Sequence, residues 1–235
     1  MAPLRILRAL RTGDRLLAAA SIAAGHAVLD AGCGIGGTLA NLNETLAAVS
    51  LHGINIDERQ AARAAAVVLP RPGNAVHFVH GDACRLPFAS AVFDRVLAVE
   101  CIFHFPSRRQ FFREARRVLR RGGKLALSDF IPAADATPVT PDPQRAELAR
   151  QVADKFGPMT AFPTLDEYRQ LARETGFAVT VVDDVTPGLV PSFKVVRKLL
   201  QRAGREDMAW ATDMIEAQLR QQVSRYVILA FDATT

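Results

Sequence analysis

The segment Val28-Leu29-Asp30-Ala31-Gly32-Cys33-Gly34-Ile35-Gly36-Gly37 constrains the fold more than any other part of the chain. His26 to Asp30 reads as a short apolar strand running directly into glycines, and Thr38 to Val49 reads as a helix. Glycines at such a junction permit a tight strand-to-helix turn and let a ligand approach the backbone. The alternation continues. Leu51 to Ile56 is a strand, Glu58 to Leu69 a helix, Ala75 to His80 a strand, and Phe93 to Val99 a strand after the loop Leu86 to Ser90. Arg108 to Leu119 is a helix with Gly122 and Gly123 as its C-cap signal, and Lys124 to Phe130 is a fifth strand. Short apolar runs alternating with helices predict right-handed βαβ units and a parallel sheet.

The rest of the chain differs. Prolines 132, 138, 141, 143, 158 and 163 surround one helix candidate, Gln144 to Lys155. Thr164 caps a helix to Thr175, with Glu167 at the capping-box position, and Phe177 to Val185 is a strand. Pro191 to Leu219 reads as helical with a break near Gly204, and Ser224 to Phe231 as the last strand. Residues 1–24 read as an N-terminal amphipathic helix with Leu4, Leu7, Leu10, Leu16 and Leu17 near one face. A secretory-signal reading of that segment is opposed by Asp14, so a cytoplasmic protein is expected. We read a single domain: a core over 25–132, helical cap insertions at 133–163 and 187–220, and a C-terminal part of the sheet from 164–186 and 221–235.

Gly32, Gly34 and Gly37 also satisfy the dinucleotide-binding pattern G-x-G-x-x-G. Asp30 discriminates. A carboxylate two residues before the first glycine repels a pyrophosphate and favours a ligand carrying an ammonium and a sulfonium, as S-adenosylmethionine does. Here the sequence resembles the class I S-adenosylmethionine-dependent methyltransferases, whose first motif reads acidic-x-Gly-x-Gly-x-Gly. Further segments follow in the family's order: Gly81-Asp82-Ala83 after the third strand, Leu86-Pro87-Phe88 and Phe93-Asp94 before the fourth, and Arg117-Val118-Leu119-Arg120-Arg121-Gly122-Gly123 before the fifth. The second strand has Gly53-Ile54-Asn55-Ile56-Asp57-Glu58-Arg59-Gln60, similar to the branch that methylates sterols, tocopherols and sugars.

The resemblance implies a Rossmann-like α/β three-layer sandwich. Its seven-stranded sheet is mostly parallel, with an antiparallel last strand and a helical cap. It implies cofactor contacts at Asp30, Gly32, Gly34, Asn55, Ile56, Gln60, Asp82, Ala83 and Glu100. Asp82 would accept from the adenine amino group, and Asn55 and Gln60 would hold the ribose in preference to Asp57, which opens the next helix as its N-cap.

Methyl transfer from a sulfonium is an in-line displacement that an aligned, dry pocket assists. A base is needed only where the acceptor loses a proton. His104 and Asp129 follow neighbouring strands at the carboxyl edge where ligands bind open parallel sheets, and both are candidates for that chemistry. The alternatives are a structural histidine and a loop-anchoring carboxylate. Phe103, Phe105 and Phe130 suit an apolar or aromatic acceptor.

His77-x-x-His80 with Cys84 invites a metal reading, but residues three apart on a strand point to opposite faces, so no metal is expected. The three cysteines have wide spacings and no CxxC, which argues against a disulfide framework. A formal net charge of +5 keeps a nucleic-acid substrate in view, but the charge is scattered. The expected partner is a small-molecule hydroxyl or amine acceptor, with a monomer or homodimer as the assembly. A nucleic-acid base methyltransferase and a non-catalytic S-adenosylmethionine-binding partner protein are the competing readings.

Overall fold

The computed structural model describes residues 12–133, 150 and 160–234. In chain order its elements are α1 (Thr12–Ala20), β1 (Ala27–Ala31), α2 (Gly37–Thr45), β2 (Ser50–Asn55), α3 (Glu58–Val67), β3 (Ala75–His80) and β4 (Phe93–Ala98). A 3₁₀ turn (Ile102–His104) follows, then α4 (Arg108–Val118), β5 (Leu119–Pro132), α5 (Leu165–Glu174), β6 (Phe177–Asp184), α6 (Thr186–Arg202), α7 (Glu206–Arg220) and β7 (Ser224–Ala233).

The strands form one seven-stranded sheet in the order β3-β2-β1-β4-β5-β7-β6. β1 pairs in parallel with β2 and β4, β2 with β3, and β4 with β5. β7 runs antiparallel to both β5 and β6, inserted between them. This is the Rossmann-like arrangement with an antiparallel last strand.

Period-two alternation sends neighbouring residues to opposite faces. Leu29, Leu127, Leu229 and Phe231 pack on one side with Phe111 and Phe112 of α4 and Tyr168 of α5. Val28, Ala126, Ile228 and Ala230 pack on the other with Leu16 of α1, Leu39 of α2, Phe193 of α6 and Leu219 of α7. The helices over 186–220 therefore form part of the outer layer on that face. The helix candidate Gln144 to Lys155 and Leu4, Leu7 and Leu10 lie outside the described residues.

Two local expectations need correction. Gly122 and Gly123 do not cap α4, which ends with Leu119 as its C-cap, the Leu119 N–H donating to the Ala115 carbonyl. The glycines fall inside β5, where the register against β4 jumps from Phe93↔Leu119 to Arg95↔Lys124. Gly122, at φ +70°, lets the strand take that irregular course. The break near Gly204 does occur, between α6 and α7, but the first of these helices begins at Thr186, with Pro191 inside it.

Candidate functional site

The carboxyl ends of β1, β2 and β4 open onto a cavity of about 800 Å³. Its wall includes Asp30, Gly32, Gly34, Asn55, Ile56, Gln60, Asp82, Ala83, Glu100 and His104. Residues widely separated in sequence converge because these three strands are adjacent and parallel, so their carboxyl ends share one edge.

Asp30 is 1% exposed, and its Oδ1 has no hydrogen-bond partner among the described residues. Burial pushes its carboxyl up to about 7, and the Thr38 side chain pulls against that shift. Buried polar atoms are nearly always satisfied, so an orphaned carboxylate oxygen on a cavity wall marks a place for a donor. At Gly32, φ is +79° and an added Cβ would lie 2.7 Å from Cys101 Sγ, so the loop approaches the end of β4 as only glycine permits.

Asn55 Nδ2 donates to the Gly34 carbonyl at 3.3 Å and to Gln60 Oε1 at 3.2 Å. These bonds tie the end of β2 and the start of α3 to the glycine loop. Asp57 is the N-cap of α3, accepting from the Arg59 N–H at 2.9 Å. The Arg59 guanidinium beside it lowers its carboxyl to about 2. Ile56 is 70% exposed, an apolar side chain presented to the cavity. Across from it, Asp82 accepts from the Cys84 N–H at 2.8 Å, which shapes the turn carrying Ala83.

Glu100 has φ +53°, a left-handed backbone that a non-glycine residue adopts at some expense of energy. Its N–H donates to Ser128 Oγ at 3.0 Å, and its Oε1 lies 3.2 Å from the Tyr226 hydroxyl. The side chain opens to the cavity while protein packs densely around its other sides. That desolvation raises its carboxyl, with the Tyr226 hydrogen bond opposing.

His104 closes the 3₁₀ turn, its N–H donating to the Cys101 carbonyl at 2.9 Å, and its ring stands 4.5 Å from that of Phe103. Ring contacts continue from Phe103 to Phe130, and from Phe130 to Phe162 and Tyr226. Asp129 does not share the cavity with His104. Its side chain is fully buried, salt-bridged to Arg108 and bonded to the Tyr168 hydroxyl at 2.5 Å. Burial raises its carboxyl, and Arg108 and Tyr168 pull it down. The expectation that both residues face one pocket fails because Arg108 and Tyr168 draw the carboxylate into the protein. The loop-anchoring alternative describes its geometry.

Thr38, Tyr226 and Arg108 were not legible as site-supporting residues. Thr38 carried a signal, a hydroxyl at the first turn after the glycines. Tyr226 and Arg108 carried none. His77 and His80 separate as expected from strand geometry. The His77 ring lies 5.1 Å from that of His52, and His80 Nε2 lies 3.1 Å from the Ile56 carbonyl oxygen. Among the described residues no group of three or more His, Cys, Asp or Glu side chains is placed to hold a metal ion. Among them, too, no helix is long and apolar enough to cross a membrane. The cysteines 33, 84 and 101 are free and buried.

The comparisons with known proteins agree with this geometry. A methyltransferase domain model matches residues 29–127. The 27-O-demethylrifamycin SV methyltransferase of Amycolatopsis mediterranei is 36% identical over 185 residues, 78% of this chain and 65% of that protein. The chain thus spans just under two thirds of that relative's length. Methyltransferase GfsG of Streptomyces halstedii is 32% identical over 210 residues, covering 85% of this chain and 71% of that one. The cyclopropane synthase MmaA2 from Mycobacterium tuberculosis superposes with a TM-score of 0.80 at 18% identity, over 94% of this chain and 82% of that one, and so shares the fold. Asp30 Oδ1 awaiting a donor, the glycine approach at Gly32 and the polar pair Asn55–Gln60 fit S-adenosylmethionine. Cavity and relatives together lead to one conclusion: the chain belongs to the class I S-adenosylmethionine-dependent methyltransferases.

Proposed function

We propose that the protein transfers a methyl group from S-adenosylmethionine to a hydroxyl of a small, largely apolar metabolite of the natural-product type. The observation that carries the reading is the buried carboxylate of Asp30, a residue of the cavity wall whose Oδ1 has no hydrogen-bond partner among the described residues, an acceptor suited to an ammonium ligand. When bound, the cofactor supplies an electrophilic methyl group on a sulfonium. Asp30 would hold the ammonium end, Asn55, Gln60 and Asp82 would hold the ribose and adenine ends, and the exposed Ile56 side chain would offer an apolar surface to the cofactor. Buried walls such as Ile54 and Cys101 keep water away from the reacting centre.

With the cofactor bound, His104 would take the hydroxyl proton as the acceptor oxygen gains the methyl group and the sulfur leaves as the thioether. The products are the methyl ether and S-adenosylhomocysteine, with the proton on the imidazole. Phe105 and Pro106 beside His104 on the cavity wall support an apolar acceptor. A hydroxyl is favoured over an amine because a relative sharing 36% identity is named for O-methylation.

The test is methyl transfer from labelled S-adenosylmethionine to a panel of hydroxylated polyketides, phenols and amines, with RNA and DNA as controls. Label should appear in a hydroxylated member. His104→Ala should lower kcat by ~10²–10⁴-fold, as expected for loss of a positioned base, with cofactor affinity nearly unchanged. Wild-type turnover in that variant removes the base assignment. Label in nucleic acid alone removes the small-molecule reading.

A further inference from the structure

A run of hydrogen bonds starts at Asp129 and ends beside His104. Asp129 Oδ2 accepts from Arg108 Nε at 3.2 Å and Nη2 at 3.0 Å, and Oδ1 accepts from the Phe130 N–H at 2.8 Å. The same guanidinium reaches further. Its Nη1 donates to Thr160 Oγ1 at 2.5 Å and to the Ala161 carbonyl at 3.0 Å. Thr160 then grips the carbonyl of Phe103 twice, from its backbone N–H at 2.8 Å and from its hydroxyl at 3.1 Å. Phe103 is the middle residue of the 3₁₀ turn that His104 closes.

From this geometry we propose that Arg108, oriented by Asp129, is a positioning residue for His104. It pins Thr160 and Ala161 onto the 3₁₀ turn and thereby fixes where the imidazole stands on the cavity wall. The proposal rests on the reading of His104 as the proton acceptor. A turn of three residues has few bonds of its own, here His104 N–H to the Cys101 carbonyl and Phe105 N–H to the Ile102 carbonyl. An outside tie therefore has leverage over it. A guanidinium suits the task because its planar fork can serve a carboxylate on one edge and two oxygens of another segment at its tip, which a lysine ammonium matches poorly. Asp129 thus has a role at the site without touching substrate, cofactor or the reacting atoms.

The experiment compares wild type with Arg108→Gln, Arg108→Lys, Thr160→Val and Tyr168→Phe in the full chain. It reads amide exchange at Thr160, the His104 ring resonances (assigned with His104→Gln), S-adenosylhomocysteine affinity by calorimetry, and turnover on the acceptor that the panel yields. Arg108→Gln should speed Thr160 exchange about tenfold or more and move the His104 resonances. It should lower kcat by roughly tenfold with KM for S-adenosylmethionine unchanged. Arg108→Lys should recover part of the loss. Tyr168→Phe, which removes a different donor to Asp129, should lower the melting temperature and leave the His104 resonances near wild type. If Arg108→Gln fails to fold, Thr160→Val cuts the same run at its far end without stranding a buried charge, and the same changes are expected at His104. Unchanged Thr160 exchange and His104 resonances in the folded variants overturn the proposal. Failure of the wild type to bind S-adenosylhomocysteine overturns the functional reading instead, and leaves the link from Arg108 to His104 measurable by itself.

Discussion

With Asp30 as the proposed partner of the ligand ammonium, the cofactor site is expected to respond to pH. The Asp30 carboxyl is raised to about 7 in the folded protein against an ordinary 3.8. The ligand-free native state therefore binds this proton more tightly than the unfolded chain. Stability from this group grows as pH falls from about 7 toward 4 and is lost as pH rises through 7. A ligand ammonium has the opposite preference, because it favours the carboxylate. Binding should weaken by up to ~10-fold per pH unit below 7, with proton release visible as a buffer-dependent calorimetric heat. Above pH ~8 the amino group of the ligand itself deprotonates, and affinity should fall again. Asp30→Asn should bind more weakly and lose the acid limb; an acid limb intact in that variant refutes the assignment.

Asp82 and Asp57 offer a second comparison at the same scale. Asp82 is half-buried at the cavity, whereas Asp57 is occupied by Arg59. Asp82→Ala should weaken S-adenosylhomocysteine binding by roughly tenfold or more, the value of a hydrogen bond to a charged acceptor. Asp57→Ala should chiefly remove a helix cap, costing about 1 kcal/mol of stability. Equal losses of affinity at both sites contradict the alignment of adenine and ribose contacts. Most of these residues were legible because each lies within a few positions of a strand end, where chain order fixes place. Asp129 shows the limit. Its position at the carboxyl edge was readable, but its orientation depends on Arg108 and Tyr168, which arrive from other elements.

Elements were legible where period and punctuation agreed. Thr164 and Glu167 announce α5, and both halves of the capping box form. Thr164→Ala should remove ~1 kcal/mol, a fall in melting temperature of about 2–4 °C for a chain of this size; no change would mean the end of α5 is held by packing alone. Gly32→Ala is predicted to be more damaging, since it combines a left-handed φ with a contact of 2.7 Å to Cys101 Sγ. It should lower both the melting temperature and cofactor affinity, and a variant with wild-type affinity would show that the loop can shift without consequence. The course of β5 was not legible. A glycine pair after an amphipathic helix is the ordinary sign of a C-cap, and only the pairing with β4 reveals that it lies within a strand.

At the scale of the whole molecule, ligand binding and folding are linked. S-adenosylhomocysteine at about a hundred times its Kd should add ~2.7 kcal/mol, raising the melting temperature by roughly 5–10 °C. NAD at the same concentration should leave it unchanged. A shift with NAD alone would return the glycine loop to the dinucleotide reading that Asp30 excludes.

The placement of β7 has a consequence for synthesis. β5 and β6 touch the same strand and not each other, and that strand follows both in the chain. While a ribosome is still making residues 224–233, two strands with apolar faces present open backbone edges with nothing between them. Such edges recruit other chains, and long-range pairing is slow to form. Until β7 is made the sheet therefore stays split in two, and an interruption of synthesis shortly before Ser224 would leave an aggregation-prone product in place of a folded fragment.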